Sequence, residues 1–450
     1  MSDSLTRALA QVVGESHVLT GADLTAPFCT DWTGRFTGTT RAAVRPGTSE
    51  EVAEVVRLCA AAQAPMIPQG GNTGLVGGSV PRNGEVVLSL TRLDAMGVVD
   101  TDAAQISVGA GVAIADLQRH VAKAGMVYGV DLASRDSATV GGTIATNAGG
   151  VNVVRYGSTR AQVIGVEAVL ADGAVVRRME GLAKDSTGYD LPGLVTGSEG
   201  TLAVITAARL RLHTAPAARV VALLGLASTA EALDVLAAVR RLPSLHAIEW
   251  FHRLSLDIVR EHAGLADPLP RPHATYVLVE CAAATDPTEE LGAALESCTF
   301  IGDIAVATDR RDRERLWVYR ERAAEALSAA GIPLKYDIGV PPDRLVEFEE
   351  RAHALCESRG MKLFVFGHLA EGNAHANVLG EDAGGEELDD ELLRLVASLG
   401  GTISAEHGVG VAKRRWLDLT RGAADRGAMR AVKDALDPHG LFNPGVLFGV

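Results

Sequence analysis

Residues 68–79 read Pro68-Gln69-Gly70-Gly71-Asn72-Thr73-Gly74-Leu75-Val76-Gly77-Gly78-Ser79, with five glycines within nine positions. Glycine lacks a Cβ, so successive backbone N–H groups can turn inward and approach phosphate oxygens. The stretch is not a Walker loop, because no Gly-Lys-Ser/Thr follows, and it does not fit the G-x-G-x-x-G dinucleotide fingerprint. It predicts a phosphate-binding loop, with an ordinary flexible loop as the alternative.

The sequence around this loop alternates short β-branched runs with small-residue helices from residue 38 to 215, an α+β or α/β pattern. Ser49 is the predicted N-cap of a helix whose apolar residues recur at i, i+3, i+4 and i+7. A strand is predicted at 86–90. Asp172-Gly173 predicts a tight hairpin, because this pair tolerates the positive φ angles of such a turn.

Two further glycine-rich segments follow in the same region. One reads Thr139-Val140-Gly141-Gly142-Thr143-Ile144-Ala145-Thr146-Asn147-Ala148-Gly149-Gly150, and the other reads Gly197-Ser198-Glu199-Gly200-Thr201-Leu202. Small residues allow a flat aromatic ligand to lie against the backbone. Three close-approach segments therefore favour a long dinucleotide over a mononucleotide.

Composition limits the classes of partner. The 450 residues include 42 basic and 56 acidic side chains, a net charge of −14, and the basic residues are scattered. This argues against a nucleic-acid or anionic-membrane surface. The five cysteines are far apart and form no C-x-x-C pair, which is typical of a reduced, intracellular protein.

Neither targeting nor membrane insertion is indicated. The first residues lack the apolar core of a secretory signal. The most apolar candidate for a membrane span, residues 220–239, contains Glu231 and Asp234 and is better interpreted as a helix of a water-soluble domain. The expected location is cytoplasmic.

Four regions are expected from these patterns. They are an N-terminal helical segment (1–37), a nucleotide-binding domain (38–216), an α+β substrate domain (217–403) and a C-terminal segment (404–450).

A histidine motif suggests a metal site. It reads His368-Leu369-Ala370-Glu371-Gly372-Asn373-Ala374-His375-Ala376-Asn377, and its flanks predict a hairpin that brings the two histidines across from each other. Farther on, Glu406 offers a carboxylate ligand and His407 a candidate base. Two neutral imidazoles and a carboxylate form a three-ligand site with open positions, as Lewis-acid catalysis requires. The alternative is a structural pair of histidines.

Arg320 interrupts an otherwise apolar helix face formed by Leu316, Ala323 and Leu327, so its guanidinium needs an anionic partner. Lys335 follows soon after the end of this helix. Two such cations would hold a substrate carboxylate. An arginine whose stem lies along the apolar face while its head reaches water is the alternative.

Together the motifs resemble the FAD-linked oxidases of the vanillyl-alcohol-oxidase type, in their D-2-hydroxyacid dehydrogenase branch. The resemblance runs from about residue 38 to Pro444 and includes the ending Asp437-Pro438-His439-Gly440-Leu441-Phe442-Asn443-Pro444-Gly445. It implies an α+β fold with a two-subdomain FAD-binding domain. It also implies an α+β substrate (cap) domain that carries the metal hairpin, and a C-terminal segment that returns to the flavin.

The resemblance also implies which residues hold FAD. The bond to FAD should be non-covalent, because neither glycine-rich segment carries the histidine by which some relatives attach it. The implied FAD contacts are Pro68, Gln69, Gly70, Gly71, Asn72, Thr73, Gly74, Gly77, Gly78, Ser134, Thr139, Gly142, Ala145, Asn147, Gly149, Gly150, Glu199, Gly200, Ile205 and Asn443.

For the chemistry, the resemblance implies a divalent metal, usually zinc, held by His368, His375 and Glu406, with His407 as the catalytic base. The positions that match substrate contacts are Arg320, Lys335 and Asn377, together with His368 and His407.

The resulting hypothesis is metal-assisted oxidation of a D-2-hydroxy acid, D-2-hydroxyglutarate or D-lactate, to the 2-oxo acid. Hydride would pass to flavin N5 and electrons to a separate acceptor: electron-transfer flavoprotein, a quinone or an iron–sulfur subunit. A homodimer is expected.

Four alternatives stay open at this stage. They are a glycolate-oxidase-like subunit of a larger complex, an NADPH-dependent reductase on the same fold, a metal-dependent hydrolase and a non-catalytic flavin-binding subunit.

Overall fold

A computed structural model describes residues 4–182, 184–380 and 386–449. The chain forms two compact units. Unit 1 contains the residues up to Gly149, Tyr156–Ala215 and the residues from Glu406 onward, and unit 2 contains Gly150–Arg155 and Pro216–Ala405.

Among the described residues, ten strands belong to unit 1. They are β1 (Val18–Leu19), β2 (Thr40–Val44), β3 (Met66–Gln69), β4 (Glu85–Ser89), β5 (Gln105–Gly109), β6 (Met126–Val127), β7 (Val163–Val169), β8 (Val175–Arg178), β9 (Val204–Arg211) and β10 (His213–Thr214). The helices up to residue 195 are α1 (Ser4–Val13), α2 (Ala22–Cys29), α3 (Ser49–Ala61), α4 (Ile114–Ala122), α5 (Val140–Thr146), α6 (Val153–Tyr156), α7 (Thr159–Gln162) and α8 (Leu191–Val195). Helix α6 lies at the boundary between the two units.

Unit 1 is built on two four-stranded sheets. In the first, with the order β1-β2-β4-β3, β2, β4 and β3 are parallel. In the second, β5-β9-β7-β8, all pairs are antiparallel. Each sheet has its own cluster of buried apolar residues, so unit 1 consists of two subdomains.

Helix α3 shows how sequence and packing agree. The predicted apolar stripe of Val52, Val55, Val56 and Cys59 is completely buried. The N-cap is Thr48 rather than Ser49, since the Thr48 hydroxyl accepts a hydrogen bond from the N–H of Glu51 at 3.1 Å. The prediction of Ser49 was therefore wrong by one residue. Either hydroxyl can cap a helix, and the helix begins one residue earlier than predicted, so that Thr48 is the cap.

The hairpin predicted at Asp172-Gly173 is present between β7 and β8, with Val169 opposite Val175. Gly173 has a φ of +79°, a value that explains the need for glycine at this turn.

The part of unit 2 that the structure describes contains seven strands: β11 (Ala218–Leu226), β12 (Leu245–His252), β13 (Thr275–Ala283), β14 (Asp303–Ala307), β15 (Leu334–Gly339), β16 (Lys362–His368) and β17 (Asn373–Leu379). They form one sheet in the order β14-β11-β13-β12-β16-β17-β15, and every neighbouring pair is antiparallel. Its helices are α9 (Thr229–Val239), α10 (Arg253–Ala263), α11 (Thr288–Leu295), α12 (Arg310–Glu321), α13 (Ala323–Ala330), α14 (Leu345–Glu357) and α15 (Glu386–Ser398).

The apolar stretch 220–239 is not one helix. Its first part lies in β11, which pairs with β13 on one side and β14 on the other, and its second part is α9. A strand covered on both faces has a continuous apolar sequence, which periodicity cannot distinguish from a buried helix. No helix among the described residues combines the length and apolar character needed to cross a membrane.

After unit 2 the chain adds α16 (Leu417–Thr420) and α17 (Ala423–Leu436) to unit 1. The segment beyond α17 pairs with the edge strand β3. Met66 donates its N–H to the Leu441 carbonyl at 2.7 Å, and Asn443 donates to the Met66 carbonyl at 2.8 Å. Between these bonds, Phe442 is fully buried in the core of the first sheet.

Candidate functional site

The first glycine-rich loop lies against the start of the second. An added Cβ on Gly71 would lie 1.7 Å from the Ser137 carbonyl oxygen, and one on Gly70 would lie 2.2 Å from the Thr139 hydroxyl. Neither distance is compatible with a side chain, so these two glycines are required for the loops to touch. Thr139 in turn caps α5, where its hydroxyl accepts from the N–H of Gly142 at 3.3 Å.

Four predicted FAD contacts that are not glycine adopt left-handed backbone conformations: Asn72, Asn147, Glu199 and Asn443, with φ between +45° and +55°. Such angles are uncommon outside glycine, and they concentrate at functional sites when the surroundings enforce them. The Asn72 amide shows how this happens. It donates to the carbonyls of Pro27 and Thr30 at 3.2 and 2.8 Å.

Glu199 and Asn443 tie three distant segments of unit 1 together. The buried Glu199 carboxylate accepts the N–H groups of Val409 and Gly410 at 2.9 and 2.7 Å. Asn443 donates from its amide to the carbonyls of Gly78 and Glu199 at 2.8 and 2.7 Å. Burial raises the pKa of Glu199, and the two backbone N–H groups and the charge of Lys413 offset part of that rise.

Two polar atoms in this region point to a ligand. Within the described residues, the buried Ser198 Oγ and Asn443 Oδ1 have no hydrogen-bond partner. An unpaired buried polar group costs about 1–3 kcal/mol, so a bound polar molecule is a natural partner for both. Bare glycine backbone beside these atoms fits a cofactor that carries phosphates.

Three further predicted FAD contacts have structural roles within the protein. Gln69, at the end of β3, donates to the carbonyls of Phe28 and Ser79 at 3.0 and 2.8 Å. The Ser134 carbonyl accepts from Ser137 and Ala138, and Ile205 lies buried in β9. All twenty residues belong to unit 1 except Gly150, the first residue of the short segment assigned to unit 2.

The predicted histidine hairpin is formed by β16 and β17. His368 pairs with Asn373 and His375 pairs with Phe366, so the histidines are diagonal neighbours rather than directly opposite. Because side chains alternate between the two faces, this offset of two residues along the strand leaves both histidines on the same face of the sheet. Their ring centroids are 5.3 Å apart.

Glu249 of β12 stands beside His368 on the same face. Its Oε1 lies 2.6 Å from His368 Nδ1, and its Oε2 lies 2.8 Å from Arg320 Nε. The second contact is an ion pair whose angle does not meet hydrogen-bond geometry. Arg320 thus has the anionic partner that its burial requires, and it also lies over the ring of Phe366, 4.8 Å from the centroid.

Asp337 of β15 is the second buried acid of this face, directly opposite His375 in the register. The amide of Asn373 donates to Asp337 Oδ1 at 2.9 Å, and Ser404 Oγ donates to Oδ2 at 3.3 Å. His375 Nδ1 lies 3.7 Å from Oδ1, an ion-pair distance rather than a hydrogen bond.

The bond from Ser404 holds the end of unit 2 beside β15, and Glu406 is the next residue after Ala405, the last of that unit. Within unit 2, the ligand atoms of His368 and His375 lie within 4.8 Å of one another, as do those of Asp337 and His375. Two imidazoles this close can share one metal ion, and a carboxylate would complete the set of donors that a catalytic zinc prefers.

Lys335 and Asn377 are opposite each other on the same sheet face, two residues along their strands from Asp337 and His375. The Lys335 ammonium lies 3.4 Å from the hydroxyl of Ser328, and the Asn377 amide donates to the His375 carbonyl at 3.0 Å. Within unit 2, the register therefore gathers the predicted contacts of β15, β16 and β17 on one face.

Two residues of this face were missed from the sequence, Glu249 and Asp337. The signal for Glu249 was present: it is an acid in the middle of the apolar run Ile248-Glu249-Trp250-Phe251, and a buried strand tolerates an acid only when it is paired.

Comparison with known proteins identifies the family to which the chain belongs. Residues 40–178 match the model of an FAD binding domain, and residues 215–447 match that of the FAD linked oxidases, C-terminal domain. D-2-hydroxyglutarate dehydrogenase of Xanthomonas citri is 37% identical, over 100% of this chain and 98% of that protein. The mitochondrial D-2-hydroxyglutarate dehydrogenase of Bos taurus is 36% identical, over 99% of this chain and 83% of its own length.

Among solved structures, p-cresol methylhydroxylase with bound substrate superposes with a TM-score of 0.80 at 16% identity, covering 98% of this chain and 95% of its own. This likeness confirms the predicted fold, an FAD-binding architecture of the vanillyl-alcohol-oxidase type. The full-length matches confirm the predicted branch. The chain therefore belongs to the FAD-linked oxidases, in their D-2-hydroxyacid dehydrogenase branch, and is an FAD-dependent oxidoreductase.

Proposed function

We propose that this protein oxidises a D-2-hydroxy acid to the 2-oxo acid with FAD and a divalent metal, zinc by donor preference, and that D-2-hydroxyglutarate is the substrate, with D-lactate the alternative. The observation that carries the proposal is the position of His368 and His375 on one face of the sheet, with their ligand atoms within 4.8 Å of each other. Glu406 is the third proposed ligand. The full-length similarity to D-2-hydroxyglutarate dehydrogenases supports the choice of substrate.

In this proposal FAD is held without a covalent bond, through the twenty residues that the resemblance implies. Bound FAD supplies the two-electron acceptor for the hydrogen on C2 of the substrate. The contribution of the chain is the cradle described above: bare backbone at Gly70 and Gly71, with Asn443 fixing the loop that ends at Gly78.

His368, His375 and Glu406 would hold the metal, which supplies Lewis acidity to the substrate's hydroxyl oxygen. His407 would accept the proton of that hydroxyl. Arg320, Lys335 and Asn377 would hold the substrate carboxylate groups. A guanidinium has five N–H donors, so Arg320 can keep Glu249 at Nε while its terminal nitrogens bind a carboxylate.

The reduced flavin needs an acceptor for its electrons. All five cysteines are buried, free thiols, and the groups of potential metal ligands found among the described residues contain no cysteine. A separate acceptor, such as electron-transfer flavoprotein, a quinone or an iron–sulfur subunit, is part of the proposal. Location in the cytoplasm and assembly as a homodimer stay predictions.

The test is anaerobic reduction of the purified yellow protein by separate additions of D- and L-2-hydroxyglutarate, D-lactate, malate and glycolate. Each is added before and after treatment with a chelator, and again after zinc is restored. We expect D-2-hydroxyglutarate alone to bleach the flavin rapidly, with loss on chelation and recovery with zinc. Flavin bleaching that persists after chelation would show that the reaction does not need the metal. Bleaching by NADPH but by no hydroxy acid would support a reductase instead.

A further inference from the structure

We propose that Glu249 is a positioning residue of the site: one of its oxygens fixes the orientation of His368 toward the metal, and the other fixes Arg320. The inference rests on the proposed function, because it assigns a partner to one of the proposed metal ligands.

The position of Glu249 leaves its carboxylate little freedom. The residue is 0% exposed, in a strand that pairs with β13 on one side and with β16 on the other. Its register places it directly opposite His368. Because the strand that carries Glu249 is paired on both sides, the carboxylate has a fixed position from which it can orient other groups.

The contact with His368 selects one ring nitrogen. A carboxylate can only accept a hydrogen bond, so the 2.6 Å contact makes His368 Nδ1 the donor. In a neutral imidazole the lone pair is then on Nε2. Metal-binding histidines commonly have such a carboxylate behind them, which fixes the tautomer and the ring plane and makes the ligand nitrogen more basic.

The contact with Arg320 uses the other oxygen. Arg320 Nε lies 2.8 Å from Glu249 Oε2, while the ring of Phe366 supports the guanidinium 4.8 Å away. Phe366 is itself opposite His375 in the hairpin. Glu249 therefore links a proposed metal ligand to the proposed carboxylate-binding arginine, and removing its charge should disturb both.

A matched control lies on the same face of the same sheet. Glu280 of β13 is also buried, pairs with Arg219 and accepts from the indole of Trp317 at 2.7 Å, as Glu249 pairs with its own arginine. The described contacts of Glu280 include no histidine, so its loss tests the effect of breaking a buried Glu–Arg pair alone.

The experiment measures zinc affinity by competition with a chromophoric chelator, on flavin-loaded protein stripped of metal. Glu249→Gln should bind zinc about 10–100-fold more weakly than wild type. Glu280→Gln should bind it as wild type does. Cobalt(II) bound in place of zinc should also show an altered visible spectrum in Glu249→Gln. If that variant does not fold, Glu249→Asp keeps the charge, draws it back from His368 and should weaken zinc binding in the same direction.

His368→Ala separates the two ways to fail. Zinc affinity unchanged in both Glu249 variants but lost in His368→Ala overturns the role of Glu249 and leaves the metal site intact. Equal zinc binding by wild type and His368→Ala removes the metal from the proposed function, and this inference with it.

Discussion

Glu406 and His407 are neighbours in the chain with different chemistry. A carboxylate offers a metal ligand at neutral pH, whereas an imidazole can take up a proton and release it again. Because each side chain has its own role in the proposed mechanism, replacing His407 alone should slow proton transfer and leave metal binding intact.

His407→Ala should retain FAD and zinc but reduce its flavin with D-2-hydroxyglutarate about 10²–10⁴-fold more slowly, the usual contribution of a general base. Anaerobic stopped-flow absorbance measures this rate. His439→Ala, an exposed histidine of the same C-terminal region, is the control and should behave as wild type. A His407→Ala rate near that of the control would exclude His407 as the base.

His246 of β12 should make stability depend on pH. Burial and the nearby charges of Arg219 and Arg155 lower its pKa from 6.5 to about 3. Between those values the unfolded chain binds a proton that the folded protein does not, so stability falls as pH falls. From pH 7 to 5 the loss is about 2 kcal/mol for this one group. Denaturant unfolding of wild type and His246→Gln at both pH values measures it, and an equal pH dependence in the two proteins would contradict the assignment.

At the scale of elements, the glycine-rich loop works because its glycines are not equivalent. Gly71 has a carbonyl oxygen where a Cβ would stand, whereas an added Cβ on Gly74 would have its nearest neighbour, Ser79 Oγ, at 3.7 Å, an ordinary contact. The loop therefore contains its own control.

Gly71→Ala should push the loop away from Ser137, lower the free energy of unfolding by about 1–3 kcal/mol and purify with little flavin. Gly74→Ala should leave the free energy of unfolding near the wild-type value, because its added Cβ would make only an ordinary contact with the protein. The ratio of flavin to protein absorbance and a denaturant titration test this pair. Full flavin content in Gly71→Ala would show that the close approach is not needed for the cradle.

Elements with a strong local signal were the ones that sequence could predict. The α3 stripe, the Asp172-Gly173 hairpin and the His368–His375 hairpin each follow from spacing within about ten residues. Strand β11 was missed because a strand buried on both faces has no periodicity to read.

The site was harder to predict wherever its contacts are long-range. Glu249 and His368 are 119 positions apart in the chain, and Glu199 and Gly410 are 211 apart. Nothing local in the sequence marks such pairs, because they exist only once a sheet register or a loop conformation brings them together. The sequence could indicate residue types suited to binding a metal or a cofactor, but it could not indicate which distant residues contact them.

At the scale of the whole molecule, the chain after α17 completes unit 1. Asp437 is buried and accepts the N–H groups of Leu441 and Phe442 at 2.9 and 2.8 Å. It pairs with Lys433, whose ammonium also donates to the Thr201 and Phe442 carbonyls at 2.7 and 2.9 Å. This one ion pair fastens the C-terminal segment to the third glycine-rich loop.

Asp437→Ala should lower the free energy of unfolding by about 3–5 kcal/mol, because it leaves the half-buried ammonium of Lys433 without its carboxylate. It should also speed FAD release, since Asn443 loses its support. Denaturant unfolding and flavin fluorescence after dilution report the two effects. Asp434→Ala, an exposed acid on the same helix, should change neither. Slow FAD release in Asp437→Ala would show that the segment stays in place without the pair.

The bond from Asn443 to Gly78 has a consequence for biosynthesis. Its two residues lie 365 positions apart, so the ribosome must work for about 20–70 s after making Gly78 before it makes the asparagine. During that time the nascent polypeptide presents an incomplete cradle and the open edge of β3. If Asn443 holds FAD as proposed, we expect cofactor loading to follow translation, and a chaperone that shields this edge should raise the yield of yellow protein.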